Sequence, residues 1–377
     1  MNPRAAAVLM AVCLLSPLCA DDWPTASHDA LRSGTAEGAG PSAAEIEWAV
    51  ELGASVDGSP IVVGDRIYVG NSAGRFFCVQ KDGGSVAWSY ATGGAIVGAA
   101  AVGQERVYVG SADGFVYCLE AAGGSLLWRH RTEGPVLGCL ALLEESLVFG
   151  STDGTLRAVD LETGRTLWRV DRGAPLSAPP AVREGTMYCG DERGNVFALR
   201  AADGTEVWAA RLAGAVVGAP TIAGDTLLVP LMSGSALQPP ETEFLTAWTP
   251  ADGTKLWSAE KPSAESVMGS PVVVNDTVWC LMVGGYTSSG VLRGFNLASG
   301  AKTVEQKLGV LVADAALAVA GNVIYLAGEN GLVYFLDAAT GAPHRPVQLG
   351  GAAFSSPAIA DGRLYVGAQD GKLYCIK

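Results

Sequence analysis

The residue types that most often perform catalysis or bind metal ions are few and scattered in this chain. Its three histidines are His28, His130 and His344, and no two of them have the spacing of metal ligands. The sequence contains no Gly-x-Ser-x-Gly elbow, no phosphate-binding loop and no haem-attachment pair. It therefore predicts no catalytic residue and no metal site.

Carboxylates are plentiful, but their positions favour turns over acid–base chemistry. Several aspartates stand directly before a glycine, namely Asp82, Asp113, Asp153, Asp203 and Asp252. This pair is typical of tight turns, because the carboxylate accepts local backbone hydrogen bonds and glycine adopts positive φ. We interpret these aspartates as turn residues rather than as paired catalytic groups.

Tryptophan recurs at a fixed interval of forty residues and indicates what these turns connect. The repeated side chains are Trp48, Trp88, Trp128, Trp168 and Trp208, and Trp257 continues the series. A period near forty residues with short apolar runs is typical of β-propeller blades. An aromatic box around a cofactor is the alternative interpretation, but one tryptophan per unit at a constant position favours packing between blades.

Eight copies of the unit can be counted from the apolar triplet of its second strand. The triplets begin at Ile67, Val107, Leu147, Met187, Leu227, Val278, Ile324 and Leu364. In the second unit we expect four strands, at 99–102, 106–110, 115–120 and 125–129. The sequence thus predicts an all-β fold, an eight-bladed β-propeller of four-stranded antiparallel blades.

The last unit lacks a fourth strand of its own. The chain stops at Lys377, directly after a third strand, whereas Glu45 to Leu52 carries Trp48 at the fourth-strand position. We expect this N-terminal strand to complete the last blade and close the ring, which removes open sheet edges. The expected organisation is an extended segment at 21–44 followed by the propeller at 45–377.

The first twenty residues have the composition of a secretory signal. Arg4 precedes an apolar stretch from Ala5 to Leu15, so we expect a signal peptide at 1–20 and a periplasmic or secreted protein. Soluble export is favoured over a lipid anchor at the outer membrane, because Pro17 and Leu18 before Cys19 are not the small residues of a lipoprotein signal. Loss of Arg4 leaves 24 of the 25 basic residues against 38 acidic ones, a formal charge of −14. That charge disfavours nucleic acid as a partner and makes any membrane association at most peripheral.

The cysteines favour free thiols over a disulfide framework. Cys78, Cys118 and Cys375 share one third-strand position, which Ala158 and Ala198 occupy in other units. A position that alternates between cysteine and alanine is typical of a small buried slot. The sequence leaves open the alternative that one disulfide forms elsewhere in the chain.

The unit resembles the pyrroloquinoline-quinone-type (PQQ-type) repeat of eight-bladed propellers over nearly the whole chain. The residues that carry the resemblance are the segments Gly362 to Gly367 and Asp370 to Cys375, and the pattern from Asp160 to Trp168. The leader, with Trp23-Pro24 and Arg32-Ser33-Gly34, also resembles the segment that precedes the propeller in such proteins.

Two groups of PQQ-type propellers imply different functions. The quinoprotein dehydrogenases are longer, hold the quinone against a disulfide between adjacent cysteines and bind calcium, and this chain has no adjacent cysteine pair. In size, export and repeat count the chain is more similar to the BamB family, the non-catalytic propellers of outer-membrane β-barrel assembly. We therefore expect an exported, non-catalytic scaffold without a cofactor. Its expected partners are other envelope proteins, with outer-membrane assembly as the setting.

Two other functions remain as alternatives. One is a PQQ-dependent dehydrogenase, and the other is a propeller that senses a small ligand or a glycan, since fold alone does not define function.

One face of the predicted ring is the candidate partner-binding face. Each first strand is expected to be preceded by a residue directed at the central axis, and these residues are Asp57, Val97, Leu137, Ser177, Val217, Met268, Asp314 and Phe354. The long insertions at 230–243 and 282–290, the latter with Tyr286, belong to the same face. The candidate binding residues are thus Val97, Leu137, Val217, Met268, Phe354 and Tyr286. In the alternative interpretation, the axial residues only fill the mouth of the central funnel.

Overall fold

The computed structural model describes residues 22–24, 27–138, 140–232, 243–260, 265–284, 290–308 and 316–377. These residues form eight sheets, each built on four antiparallel strands, as in the blades of a propeller. The predicted all-β, eight-bladed fold is confirmed. No helix in the described part of the chain has the length and apolar character of a membrane span.

The strands of the first four blades follow the repeat closely. Blade 1 contains Ile61–Val63, Arg66–Gly70, Arg75–Gln80 and Val86–Ala91; blade 2 contains Ala101–Gly103, Arg106–Gly110, Phe115–Glu120 and Leu126–Arg131; blade 3 contains Ala141–Leu142, Ser146–Gly150, Thr155–Asp160 and Thr166–Asp171; blade 4 contains Ala181–Arg183, Thr186–Gly190, Asn195–Arg200 and Glu206–Arg211. In blade 2 the second and third strands lie where the sequence predicts them, and the outer two are shifted by one or two residues.

The other four blades are less regular. Blade 5 contains Thr221–Ala223, Thr226–Pro230, Glu243–Trp248 and Lys255–Glu260; blade 6 contains Glu265–Val274, Thr277–Gly284, Gly290–Asn296 and Lys302–Lys307; blade 7 contains Ala318–Ala320, Val323–Ala327, Leu332–Asp337 and Val347–Gln348; blade 8 contains Ala358–Ala360, Arg363–Gly367, Lys372–Ile376 and the N-terminal strand Ile46–Glu51. A short strand, Thr35–Ala36, pairs in parallel with Ala318–Ala320 and gives blade 7 a fifth strand.

The ring closes through the N-terminal strand, as the sequence predicts. Ile46–Glu51 pairs antiparallel with Lys372–Ile376, with Trp48 opposite Cys375. Glu45 and Lys377 exchange backbone hydrogen bonds of 3.2 and 2.9 Å at the end of this pair. Arg363 of blade 8 also forms an ion pair of 2.7 Å with Glu47 on the N-terminal strand. Blade 8 is therefore assembled from both ends of the described propeller.

The repeated tryptophans lie where neighbouring blades meet. Each ring covers the turn glycine between the third and fourth strands of the next blade, as Trp128 covers Gly164 at φ +67°. A Cβ atom on these glycines would lie 2.5–2.8 Å from the indole ring, which leaves room only for glycine. The indole nitrogens of five of the tryptophans donate to a backbone carbonyl of the next blade, at Ala121, Leu161, Ala201, Pro250 and Leu297.

The small third-strand position lies directly opposite the tryptophan. Cys78 pairs with Trp88, Cys118 with Trp128 and Ala158 with Trp168 in the register of the sheets. A large ring on one strand thus requires a small side chain on its neighbour. The described cysteines Cys78, Cys118, Cys189, Cys280 and Cys375 are free and buried. Burial raises the pKa of the Cys118 and Cys189 thiols to about 12, so both are protonated at neutral pH.

Blade 6 departs from the repeat in two ways. Val304 stands at the fourth-strand position that tryptophan occupies in other blades. The ring that packs against blade 7 comes instead from Trp279, at the position of the second-strand tyrosine. A Cβ atom added to Gly341 of blade 7 would lie 3.3 Å from this ring. The first strand of blade 6 is also longer, so that Met268 lies inside the strand and pairs with Leu281 instead of preceding the strand as predicted. The reason is the hairpin that this strand forms with Thr277–Gly284, whose pairing continues to Glu265 and Gly284.

Candidate functional site

A cavity of about 460 Å³ lies on the axis of the ring, where the first strands converge. Four of the predicted binding residues, Val97, Leu137, Val217 and Phe354, line it. The rest of its described lining is small or polar, consisting of Ser27, Asp57, Ser59, Gly98, Gly138, Ser177, Pro179, Gly218, Ala219, Gly269, Ser270, Ala316, Ser356 and Gln369. Val97 and Leu137 are 38% and 36% exposed, so their apolar surface is presented at the mouth.

The backbone of the segments that join consecutive blades directs these side chains at the axis. Before the first strand of blade 2, the Ile96 amide donates a hydrogen bond to the Asn71 carbonyl. Asn71 lies in blade 1, in the loop between the second and third strands. The Ile96 side chain is fully buried. Val136 and Val216 make the same bond to Ser111 and Asp191. Side chains alternate in extended chain, so the next residue in each case points into the cavity. We call the face that carries these inter-blade segments and loops the mouth face.

Glycines follow the axial residues because adjacent blades approach closely here. A Cβ atom on Gly98 would lie 2.7 Å from the Gly138 carbonyl oxygen, and one on Gly138 would collide with the Ser177 carbonyl. The wall between neighbouring axial side chains is therefore backbone. This leaves Val97, Leu137 and their equivalents as the main apolar contacts of the cavity.

The opposite end of the axis is crossed by a floor segment, residues 22–24 and 27–36. Its backbone bonds to the first strands of five blades: Trp23 pairs with Val62, and the carbonyls of Pro24, Ala30, Leu31 and Gly34 accept from Val102, Val182, Ile222 and Val319. These are the far ends of the same strands whose beginnings line the cavity. Ser27 of the floor segment belongs to the lining of the cavity, so the described part of this segment forms part of the cavity wall away from the mouth.

Arg32 anchors the floor segment inside the ring. Its side chain is 1% exposed, and its guanidinium donates to the carbonyl oxygens of Pro180 and Leu140 at 3.0 and 3.1 Å. A buried cation is tolerated only when its donors have such partners. The sequence predicts only an extended segment at 21–44, and it does not predict the place of that segment in the site. The partners of Arg32 lie in distant blades, so no local sequence signal marks its role.

Aspartates on the mouth face hold the loops together, consistent with their interpretation as turn residues. Asp113 accepts from the Gly93 amide and the Tyr117 hydroxyl, both at 2.6 Å, and so ties blade 2 to the segment that enters it. Asp153 accepts from the Glu133 amide and forms a largely buried ion pair of 2.8 Å with Arg157. Burial alone would raise the Asp153 pKa, but bonds from Thr155 and Arg157 lower it to about 2.

We expect Asp153→Asn to lower stability at neutral pH and to have no such effect in acid. The folded-state pKa of about 2 lies below the ordinary 3.8, so the contribution is present above the ordinary value and is lost as pH falls towards the folded one. A shift of this size corresponds to about 2 kcal/mol in the free energy of unfolding. Urea denaturation at neutral pH and near pH 2 measures it, with the exposed turn variant Asp252→Asn as the control. An equal loss of stability at both pH values would contradict the ion-pair account.

The structure places the remaining predicted site residues only in part. Met268 contributes its backbone to blade 6, beside the cavity-lining Gly269, while Tyr286 and Asp314 lie outside the described residues. His28 stacks edge-on against Trp23 in the floor segment, and His130 packs against Phe149 between blades 2 and 3. Within the described chain, no three His, Cys, Asp or Glu side chains are grouped as metal ligands.

The described cavity residues do not fit the PQQ cofactor. The quinone carries three carboxylates, whereas Asp57 is the single charged side chain in the described lining and is itself an anion. Anions in a partly buried site require cationic partners. Arg32 lies below the cavity and donates to backbone carbonyls.

Comparisons with known proteins agree with the propeller fold. A family model for the beta-propeller of beta-alanine-activating enzyme matches residues 52–377. A comparison with curated protein sequences finds no match.

Solved structures with the same fold include BamB from Moraxella catarrhalis, with a TM-score of 0.74 and 20% identity over 88% of this chain and 99% of that one. A europium-containing methanol dehydrogenase has a TM-score of 0.78 and 12% identity over 95% and 98% of the two chains. The quinohemoprotein alcohol dehydrogenase of Comamonas testosteroni has a TM-score of 0.74 and 15% identity over 94% and 80%. The predicted resemblance to PQQ-type propellers and to BamB is confirmed, and at these identities it shows the fold alone.

Proposed function

The chain belongs to the family of the beta-propeller of beta-alanine-activating enzyme, and on that premise we propose that it is a non-catalytic propeller that binds another protein at the mouth of its axial cavity. The observation that carries the proposal is the axial cavity, whose mouth presents Val97 and Leu137, each at least a third exposed. Apolar side chains held in place by backbone around a pocket are the kind of surface that anchors a partner's side chain.

The setting that we propose is the cell envelope. Residues 1–20 have the composition of a secretory signal, and the repeat resembles that of the BamB family. The partners are then other envelope proteins, with outer-membrane β-barrel assembly as the process. The net negative charge supports a protein partner over nucleic acid or an anionic membrane.

We expect charged substitutions at the mouth to abolish partner binding without unfolding the ring. Val217→Asp combined with Phe354→Lys places two charges in the cavity, where an apolar partner group cannot pair with them. Co-purification from the native envelope should fall by about ten-fold or more, as for the loss of a binding hot spot. Melting temperature checks folding.

The matched control for this experiment is Ala122→Asp combined with Ala202→Lys. These exposed residues lie in turns between third and fourth strands, on the face opposite the mouth. The control should retain the partners. Retained partners in the mouth variant, with folding intact, would place the binding site elsewhere on the propeller.

A small ligand is the second candidate occupant, because a volume of about 460 Å³ falls within the range of ligand pockets. The same variants distinguish the two. If a small molecule from a native extract raises the melting temperature of the wild-type chain and not of the mouth variant, while no protein co-purifies, the cavity is a ligand site.

A further inference from the structure

The outer edges of blades 2 and 3 form a second surface, on the side of the ring. We call it the lateral edge and define it as Leu126–Arg131 of blade 2 together with residues 165–171 of blade 3. The fourth strand of each blade is the last in its sheet and pairs on one side only. Backbone donors and acceptors on its other side are therefore available to a further strand.

The lateral edge is basic, although the chain as a whole is acidic. Arg129 and Arg169 directly follow the blade tryptophans, and the same position in the other six blades is occupied by Ala49, Ser89, Ala209, Ser258, Glu305 and Pro346. Arg131 and Arg165 add two further exposed guanidinium groups. Asp171 is the one carboxylate within these two segments. Such a surface is unusual on a chain whose formal net charge is −13.

The propeller itself does not neutralise these four arginines. Among the described residues none of them forms an ion pair, whereas the neighbouring Arg172 pairs with Glu206 at 2.7 Å. The Arg129 guanidinium lies 4.9 Å from the centre of the Phe115 ring, which orients it without neutralising it. The arginines are therefore available to an anionic partner.

Apolar side chains accompany the charges. Leu126, Leu127 and Leu167 are 43%, 48% and 54% exposed, among the highest values for large apolar residues in the described chain. Single exposed leucines are ordinary on protein surfaces. Here three of them stand on free strand edges beside four arginines, which is the composition of an interface rather than of a solvated rim.

The two blades present one continuous surface. Trp128 donates its indole proton to the Leu161 carbonyl at 3.0 Å, and His130 Nδ1 lies 2.9 Å from the Gly164 carbonyl oxygen. Burial lowers the pKa of His130 and keeps the ring neutral at pH 7. Because Gly164 immediately precedes Arg165, the fourth strand of blade 2 lies against the beginning of the basic strand of blade 3.

We propose that the lateral edge binds an extended, acidic segment of a partner protein. The segment pairs with the free edge of blade 2 as a fifth strand, and its carboxylates reach the arginines of both blades. An added strand satisfies edge N–H and C=O groups, and alternate side chains supply the specificity. A phospholipid surface pairs with arginines but not with the backbone of an edge strand, so the free edges favour a peptide. This surface is independent of the mouth.

The test uses the full chain and a fluorescein-labelled peptide of alternating glutamate and valine, measured by fluorescence anisotropy. Two comparison peptides carry lysine in place of glutamate, or N-methyl groups on alternate valines that block strand pairing. The variant is Arg129→Glu with Arg169→Glu. Its matched control is Ala209→Glu with Ser258→Glu, at the same strand position in blades 4 and 5. Leu127→Asn with Leu167→Asn provides a second test if charge reversal disturbs folding.

We expect the acidic peptide to bind the wild type and the control with similar affinity. Binding to the arginine variant should be weaker by about ten-fold, and binding of both comparison peptides weaker by a similar factor. No binding by the wild type, equal binding by the arginine variant, or equal binding of the N-methylated peptide would overturn the proposal. Binding confined to phosphatidylglycerol vesicles would overturn it in favour of a membrane.

Discussion

Replacing Trp128 with alanine should lower the free energy of unfolding by about 3–5 kcal/mol, the usual cost for a buried aromatic side chain. Trp128 is 9% exposed and packs on Gly164 of the next blade, and its indole nitrogen donates to the Leu161 carbonyl. Alanine would leave a cavity between two blades, and the Leu161 carbonyl would keep only the long bond of 3.5 Å from the Tyr108 hydroxyl. Urea denaturation followed by far-UV circular dichroism measures the loss.

Blade 6 offers the matched control for this substitution. Val304 occupies the tryptophan position there and is only half-buried, so Val304→Ala should cost about 1 kcal/mol. If Trp128→Ala were as stable as the wild type and lost a bound ligand instead, the aromatic-box interpretation would replace blade packing.

Ending the chain at Gly367 should prevent the ring from folding. The truncation removes Lys372–Ile376, which lies between Arg363–Gly367 and the N-terminal strand and pairs with both. Leu373, Tyr374 and Ile376 are buried there, and the three together contribute roughly 5–9 kcal/mol. That amount is comparable to the total stability of a typical domain, 5–15 kcal/mol. Calorimetry should therefore show no cooperative transition near the melting temperature of the full chain.

Deletion of Lys377 alone is the control for the truncation. It removes an exposed side chain and the pair of backbone bonds with Glu45, and it should lower the melting temperature by only a few degrees. A chain that ends at Gly367 and melts at the temperature of the full chain would show that blade 8 is not required for closure.

The fold could be predicted from the sequence because its information is local and repeated. Trp48 identifies the fourth strand of blade 8 even though its blade partners lie at the other end of the chain. The alternation of Cys78 and Ala158 predicts a small slot, which the register places opposite the tryptophan. Each blade repeats the same local requirements, so the repeat determines the number of blades.

The departures from prediction arise where contacts are not local. In blade 6 the ring that packs on the next blade comes from Trp279 on the second strand, while Val304 stands at the usual tryptophan position on the fourth. A pattern of one fourth-strand tryptophan per unit does not predict this exchange. The longer hairpin of that blade takes Met268 into the first strand. The position of Trp279 depends on its contact with the neighbouring blade, and that of Met268 depends on pairing with the second strand of its hairpin.

In the candidate site, too, the residues in repeated segments were predictable and those with distant contacts were not. The sequence predicts Val97, Leu137, Val217 and Phe354 at the axis because each precedes the first strand of its blade, and all four line the cavity. The floor segment has no repeat, and its bonds run to five different blades. Arg32 finds its carbonyl partners more than one hundred residues away in the sequence. No local pattern could have predicted that its segment contributes to the wall of the cavity.

Hydrogen exchange of the chain, alone and in complex with a co-purified partner, tests the mouth proposal most directly. The proposal predicts slower exchange of backbone amides in the segments 96–98, 136–138, 216–218 and 353–355 when the partner is bound, because they surround the mouth. The turns at 121–124 and 161–164, on the opposite face, should exchange at the same rate in both states. Protection confined to those turns or to the outer strands, with the mouth segments unchanged, would contradict binding at the mouth of the axial cavity.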